Sequence, residues 1–403
     1  MQNFIASLGS KKSNNLSTIV VVVLAYICMC IETEIYVPVF PQMIKYFNVA
    51  ENQIQHVLNI NFLGLCIAGL LTGPLSDSFG RKPVFLIGLG SFAISSIGCF
   101  FSNDFSVLLL WRLIQGISSS VPMVVGYAIV LDKYETEKST QIVGFINSII
   151  STFMAGAPLL GAWISQLYNW RANFIVIIVL SLVTFVGACL FIEETLLEYD
   201  KKIFSLKSII SSYIRLLSNT KFLAYSVISA STFAGVIVYV SNLSVIFINH
   251  LGMNITEYSY WQAITIITFV GFSLLSTKLV KMKGMIYTEK LGYILAIVGV
   301  IAIVVTSRLC PNNPLLICLP MACISGGGAL FCSITGSKGM AIFPDIKGAS
   351  SAMITTIRLM ITVLGIFISE KAFDGTILPI ANVIFVIAVI CIAVYITTLS
   401  KIK

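Results

Sequence analysis

Charge is scarce in this chain. Of 403 residues only 10% are Asp, Glu, Lys or Arg, whereas a soluble domain carries roughly 25%. Histidine is scarcer still, with 2 in all, and neither His56 nor His250 has metal-ligand spacing, so both are expected in surface or packing roles. The 10 cysteines contain no C-x-x-C pair, and neither a zinc site nor a redox motif is signalled. No Gly-Lys-Ser/Thr loop follows a glycine-rich turn, which disfavours ATP hydrolysis by this chain. There is no clustered nucleophile and no polar stretch large enough to build a soluble catalytic core. These absences exclude soluble enzymes, DNA-binding proteins and secreted domains. No enzyme activity, cofactor, metal or nucleic-acid partner is expected.

What is present is apolar. Hydrophobic residues make up 57% of the chain, and the mean hydropathy is +0.97. An outer-membrane barrel would show alternating strands of about 10 residues. The apolar runs here are twice that length and match the roughly 20 residues of a transmembrane helix. Twelve spans are predicted, near 16–38, 54–74, 83–102, 105–130, 140–165, 171–192, 221–249, 258–280, 287–307, 314–336, 348–370 and 376–399. The fold class is therefore an all-α membrane protein of twelve transmembrane helices. The first span follows Lys11 and Lys12 but is too long for a signal-peptide core and has no small-residue cleavage site after it, so its retention is expected. Nine cysteines fall in apolar runs and read as small buried packing residues; Cys310 is the loop exception.

Placing the N-terminus inside leaves Lys45, Arg171, Arg308 and Lys371 in outer loops and Arg112 and Arg358 within spans; the other nineteen of the 25 basic residues then lie inside. That asymmetry predicts both termini in the cytoplasm and explains the formal charge of +8 better than nucleic acid does. The longest polar segment, 193–220, mixes Glu193, Glu194, Glu198, Asp200, Lys201, Lys202, Lys207 and Arg215 with Ile203, Phe204, Leu206, Ile209, Ile210, Tyr213 and Ile214. It reads as a linker with an amphipathic helix on the inner membrane surface. It divides the chain into a bundle of six helices over 1–192 and another over 221–403, and carriers built this way place substrate between their halves.

The sharpest motif lies between spans two and three: Gly73-Pro-Leu-Ser-Asp77-Ser-Phe-Gly80-Arg81-Lys-Pro83. Gly73 is expected to permit close helix approach and Gly80 a tight turn, and Asp77 to accept from Arg81 or from helix N-terminal amides. Such a cluster can latch two bundles on the cytoplasmic side. With it go Arg112-Leu-Ile-Gln-Gly116 in span four, Gly156-Ala-Pro158-Leu-Leu-Gly161 in span five and Glu34-Ile-Tyr-Val-Pro38 ending span one. Together these resemble the major facilitator superfamily, and most closely its bacterial twelve-span drug:proton antiporters, including the bicyclomycin and chloramphenicol/multidrug branches. The resemblance runs from about 16 to 399. It implies the major facilitator fold and proton-driven efflux of small amphipathic compounds across a bacterial inner membrane. Three departures stand out: Tyr26 where some multidrug members carry a second acid, Arg358 in span eleven, and a degenerate second-half loop around Lys281-Met-Lys-Gly284.

Four charges fall clearly inside spans, away from the last few residues at either end: Glu32, Glu34, Arg112 and Arg358. Two residues apart on a helix, Glu32 and Glu34 point about 200° apart and cannot both face one cavity. Glu34 is expected to carry the proton, with Arg112 at a similar depth as its partner; Glu32 is a further coupling candidate. Arg358 lies about 15 Å into its span, near the midplane. It is expected to contact an anionic or zwitterionic substrate group or to offset Glu32. Tyr26, Tyr127 and Tyr239, with Tyr36, Trp111 and Trp261, are candidate drug-pocket aromatics, and Trp170 an interface anchor. Gly156, Pro158 and Gly161 are expected to bend span five and pack it closely, and Ser325-Gly-Gly-Gly-Ala329 to pack span ten. Two functions compete. One is an exporter exchanging protons for a small molecule. The other is an uptake symporter or facilitator of the same fold. Neither requires more than a monomer in the lipid bilayer.

Overall fold

A computed structural model describes residues 13–196 and 206–399. Lys11, Lys12, Lys401, Lys403 and the linker positions Glu198, Asp200, Lys201, Lys202, Ile203 and Phe204 lie outside the described residues. The described chain is helical, with no strand. Twelve long helices follow one another: α1 (Leu16–Phe47), α2 (Gln53–Phe79), α3 (Arg81–Phe101), α4 (Phe105–Lys133), α5 (Thr136–Leu167), α6 (Ala172–Phe191), α7 (Thr220–His250), α8 (Ile255–Lys283), α9 (Met285–Leu309), α10 (Pro314–Ala341), α11 (Pro344–Ala372) and α12 (Leu378–Thr398). Eleven are long and apolar enough to cross a membrane. The twelfth, α5, has 32 residues with Pro158 inside it. The spans therefore fall where apolar runs predict them, with one extension. The first was expected to end at 38, but its α-helical part stops at Glu34, and a 3-10 turn through Pro38 carries the path on to Phe47. A proline at the start of a helical turn loses no hydrogen bond, so it redirects the helix rather than ending it.

In the first half α1 packs on α5 and α6, α2 on α4, and α3 between α4 and α6. In the second half α10 packs on α7, α8 and α9, and α7 also on α11 and α12. The halves meet chiefly through α2 against α11 and α5 against α8. The connecting helix Leu206–Leu217 is amphipathic as expected: Leu216 is buried against Phe222 and Phe343, whereas Ile210 and Ile214 are exposed. Tyr213 of this helix donates to the Leu70 carbonyl at 2.8 Å, and Arg215 pairs with Asp345 at 2.5 Å, so it bridges the two halves. Exposed Ile87, Leu190 and Leu274 illustrate an outer surface suited to lipid.

Glycine sets the closest helix contacts. A Cβ on Gly116 would lie 2.0 Å from the Asn61 carbonyl oxygen, and one on Gly161 only 1.8 Å from that of Ile35. The Gly326–Gly328 tract packs in the same way, a Cβ on Gly328 meeting Thr232 at 2.0 Å. Two other glycines do not behave as expected. A Cβ on Gly73 would touch Val124 at an ordinary 3.6 Å, and one on Gly156 would meet nothing within 4 Å. Cys189 is also exposed rather than buried, and Trp170 is buried against Phe174 instead of anchoring at an interface.

These contrasts are testable within a single helix. Gly161→Ala should destabilise the protein by about 1–3 kcal/mol through overpacking. Gly156→Ala should be neutral or stabilising by up to about 1 kcal/mol. Thermal unfolding of the two variants in detergent measures the difference, and equal melting temperatures would refute the assignment of Gly161 as the α1–α5 contact point.

Candidate functional site

Between the halves lies a cavity of about 1340 Å³, lined by α1, α2, α4 and α5 on one side and α7, α8, α10 and α11 on the other. Its mouth is at the end that carries Asp77, Arg81, the connecting helix and Asp345. The mostly apolar wall includes methionine and aromatic side chains such as Met29, Met123, Met154, Phe233 and Phe269. Such flexible and flat apolar surfaces accept varied ligands. Tyr26 and Tyr127 both line it, their rings 4.9 Å apart, and the Tyr26 hydroxyl donates to the Met123 carbonyl at 2.7 Å. Tyr239 does not line the cavity as expected. It is fully buried behind the wall, its hydroxyl 3.1 Å from Cys318 Sγ. Helical periodicity places Tyr239 on α7 but does not say which of that helix's faces meets the cavity.

The opposite end is closed by side chains from both halves. Gln55 Nε2 donates to Asn242 Oδ1 at 2.5 Å, Asn242 Nδ2 to Ser369 Oγ at 3.2 Å, and Ser369 Oγ to Gln55 Oε1 at 3.2 Å. All three residues are buried. Around this ring both histidines of the chain face an acid from the other half, His250 to Glu51 at 2.7 Å and His56 to Glu370 at 3.2 Å. Gln166 of α5 donates to Thr256 of α8 at 2.6 Å. None of these partnerships is visible as sequence spacing, because each joins helices far apart in the chain.

At the mouth, the loop between α2 and α3 turns on Gly80, whose φ of +99° favours glycine. Arg81 pairs with Asp77 as expected and also reaches Asp132 Oδ2 at 3.0 Å and Ser76 Oγ at 2.6 Å. The N-terminal amides of α3 find a different acceptor than Asp77: Arg81 N and Lys82 N donate to Glu194 at 3.0 and 3.1 Å. A carboxylate there satisfies two of the free amides and the helix dipole. Among the described residues the partners of Asp77 and Arg81 lie in the first half or, as Glu194, at the start of the linker, so the cluster ties these together and holds no latch to the second half while the mouth is open. In the second half, Gly284 keeps a positive φ of +85° at the corresponding turn.

The four intramembrane charges separate into a pair and two singles. Arg112 binds Glu32, not Glu34: Nη1 lies 2.5 Å from Glu32 Oε1, and both residues are fully buried. The same guanidinium donates to Gln115 Oε1 at 2.5 Å, to the Val57 carbonyl at 3.3 Å and to the Tyr36 hydroxyl, with the Tyr36 ring 4.4 Å away. Asn61 Nδ2 donates to Glu32 Oε1 at 2.8 Å. This knot ties α1, α2 and α4 outside the cavity lining. Glu34 faces the other way, as the 200° offset requires, and lines the cavity. Its Oε2 accepts from Gln262 Nε2 of α8 at 3.0 Å, and Gln262 Oε1 accepts from Tyr258 at 2.5 Å. Arg358 lines the same cavity from α11, its guanidinium 5.1 Å from the centre of the Phe233 ring. It has no ion pair with Glu32 or any other acid among the described residues, and its Nε has no hydrogen-bond partner. A charge so placed costs at least about 2.5–3.5 kcal/mol on insertion scales.

Asn61, Gln262 and Tyr258 escaped the sequence reading. Amides within apolar runs were the available signal, since a polar side chain in a span is retained where it has a partner.

Comparison with known proteins agrees with this fold. The Major Facilitator Superfamily model matches residues 22–366. A bicyclomycin resistance protein homolog of Haemophilus influenzae is 22% identical over 343 residues, 85% of this chain and 86% of that protein. The multidrug transporter MdfA of Edwardsiella ictaluri is 28% identical over 220 residues; that match spans 55% of this chain and about half (53%) of the relative. Two solved structures share the fold. One is a D-xylose-proton symporter, with TM-score 0.72, 15% identity and 95% of this chain and 98% of that one covered. The other is a bacterial homolog of the human lysosomal transporter Spinster, with TM-score 0.73, 14% identity and coverage of 96% and 97%. With two helical bundles around a central cavity and a family match across most of its length, the chain belongs to the Major Facilitator Superfamily.

Proposed function

We propose that this protein is a proton-coupled exporter of small amphipathic compounds, a drug:H+ antiporter working by alternating access. The observation that carries this reading is Glu34: a buried carboxyl in the wall of a large, mostly apolar cavity, hydrogen-bonded across the two halves to Gln262. As a carboxylate Glu34 accepts from Gln262 and attracts a donor or cation on the substrate. As an acid it has lost that attraction. Proton and substrate thus compete for one group, which is what exchange requires. Relatives named for bicyclomycin and multidrug resistance support the same substrate range.

In this reading the protein acts as a monomer in the bacterial inner membrane with both termini in the cytoplasm. Residues 1–192 and 221–403 form the two bundles, joined by 193–220. The mouth beside Arg81 and the connecting helix then opens to the cytoplasm, where the basic residues concentrate. The Gln55–Asn242–Ser369 ring closes the outer side. Gly73, Asp77, Gly80 and Arg81 act at the mouth, and Gly156, Pro158 and Gly161 act in the part of α5 that runs toward Gln166 and the closed end. Pro158 adds a cross-half contact, its carbonyl accepting from Ser259 of α8 at 3.4 Å. One observation favours the competing symporter: Arg358 lines the same cavity as Glu34 with no acid paired to it, so with Glu34 protonated it would bind an anion together with a proton.

Transport into proteoliposomes under an imposed pH gradient separates the two. Wild type should accumulate substrate only against the direction of proton flow, and Glu34→Gln should abolish that accumulation while leaving the melting temperature near wild type. Accumulation alongside protons, or simple equilibration, would establish the symporter or facilitator instead. The Glu32–Arg112 knot behaves differently in this account. Removing one partner strands a buried charge, so Arg112→Met or Glu32→Leu should lower stability by about 3–5 kcal/mol. Chemical unfolding in detergent checks this; a single variant with wild-type stability would show that the pair is not structural.

A further inference from the structure

Arg112 has four kinds of partner, and Arg358 has one aromatic ring. Both sit in membrane-spanning helices. The difference is where they face, since Arg112 is sealed between helices and Arg358 looks into the cavity. A planar guanidinium with free donors is suited to a carboxylate, sulfate or phosphate, which it can grip with two parallel hydrogen bonds. Across the same cavity, on the other half of the molecule, lies the Glu34 carboxyl. Thr355 and Thr356 flank Arg358 with hydroxyl groups, while Phe233, Val236 and Leu359 supply apolar wall. The cavity therefore has an anion-seeking pole on α11, a cation- or donor-seeking pole on α1, and an apolar body between them.

We infer that the cavity selects zwitterionic amphiphiles: an anionic group held by Arg358, an apolar or aromatic body beside Phe233, and an ammonium or other donor at Glu34. The inference rests on the exporter reading for the role of Glu34 but not for that of Arg358. It gives each charge a separate task. Protonation of Glu34 removes the attraction for the substrate's cationic end, so acid weakens the binding of a zwitterion or a cation. A purely anionic molecule responds in the opposite sense, because neutralising Glu34 removes a repulsion and leaves Arg358 in place. The sign of the pH dependence thus reports which pole a ligand uses.

Equilibrium binding to the detergent-purified full chain, with no gradient, tests this with three probes that share one aromatic body: 2-naphthylalanine (zwitterion), its methyl ester (cation) and its N-acetyl derivative (anion). In wild type, acid should weaken the first two and strengthen the third. Arg358→Gln should weaken 2-naphthylalanine and the N-acetyl derivative by about tenfold or more, the scale of a lost charge-assisted hydrogen bond. It should leave the methyl ester bound at least as tightly as in wild type, since it removes a repulsion on the cation, which also shows that the variant is folded, and Arg358→Lys should restore part of the loss. Equal weakening of all three probes would make Arg358 a packing residue and overturn the proposal. So would an unchanged set, or a wild type that binds neither carboxylate-bearing probe. A protein that discriminates among the probes yet fails to exchange substrate for protons in proteoliposomes would sink the exporter reading alone.

Discussion

A charge inside a bilayer must find a partner or a wet surface, and this constraint organises the whole molecule. Glu32 and Arg112 satisfy it by pairing with each other and by recruiting Asn61, Gln115, Tyr36 and a backbone carbonyl. The result pins three helices of the first half at one point. Breaking even one side of it leaves an uncompensated charge in a low-dielectric interior, where no rearrangement of the other ligands can replace it. With that pair satisfied, Glu34 and Arg358 are the intramembrane charges that remain, and both look into the cavity.

Rigid halves and a weak seam follow from two kinds of contact. Within each half, glycines bring helix backbones so close that a methyl group would not fit, as at Gly116 against Asn61 and Gly327 against Gly292. Such contacts are short-range and lost by small displacements, so the helices move together. Between the halves, the closure opposite the mouth is made of side-chain hydrogen bonds and His–Glu pairs. Each of these exchanges for water at small net cost, since a hydrogen bond contributes only about 0.5–1.5 kcal/mol net. Alternating access needs this difference between contacts that must persist and contacts that can be traded.

Much of this was legible in the sequence, and the limits have physical causes. Apolar runs located the spans, because length and hydropathy are properties of one segment at a time. The turn at Gly80 and the Asp77–Arg81 pair were legible because they are local, four residues apart on the chain. Depth along a helix was legible too, and it placed Arg112 level with both acids. Rotation relative to neighbouring helices was not, so depth, which sets Glu32 closer to Arg112 than Glu34, could not decide which acid turns toward the guanidinium. For the same reason Tyr239 was expected in the cavity and lies behind its wall. Glu194 capping α3 and Gln262 bridging to Glu34 join segments more than a hundred residues apart, beyond the reach of any spacing rule.

The spacing of the two acids is itself a mechanism in outline. At 100° per residue, a separation of two puts Glu32 and Glu34 on nearly opposite faces of α1. A separation of three or four would have put both on one face, where they would compete for Arg112. Two residues oblige one acid to join the buried knot and the other to enter the cavity. The position of the helix end sharpens the division. The regular α-helix of α1 stops at Glu34, and the 3-10 turn through Pro38 begins just beyond it. Glu32 is thus held within continuous helix beside Arg112, whereas Glu34 sits at a change of helical geometry that faces α8 of the other half. A group that must release a bond when the halves part is best placed where its own helix changes course, and the group that must never release one is best placed a half-turn back.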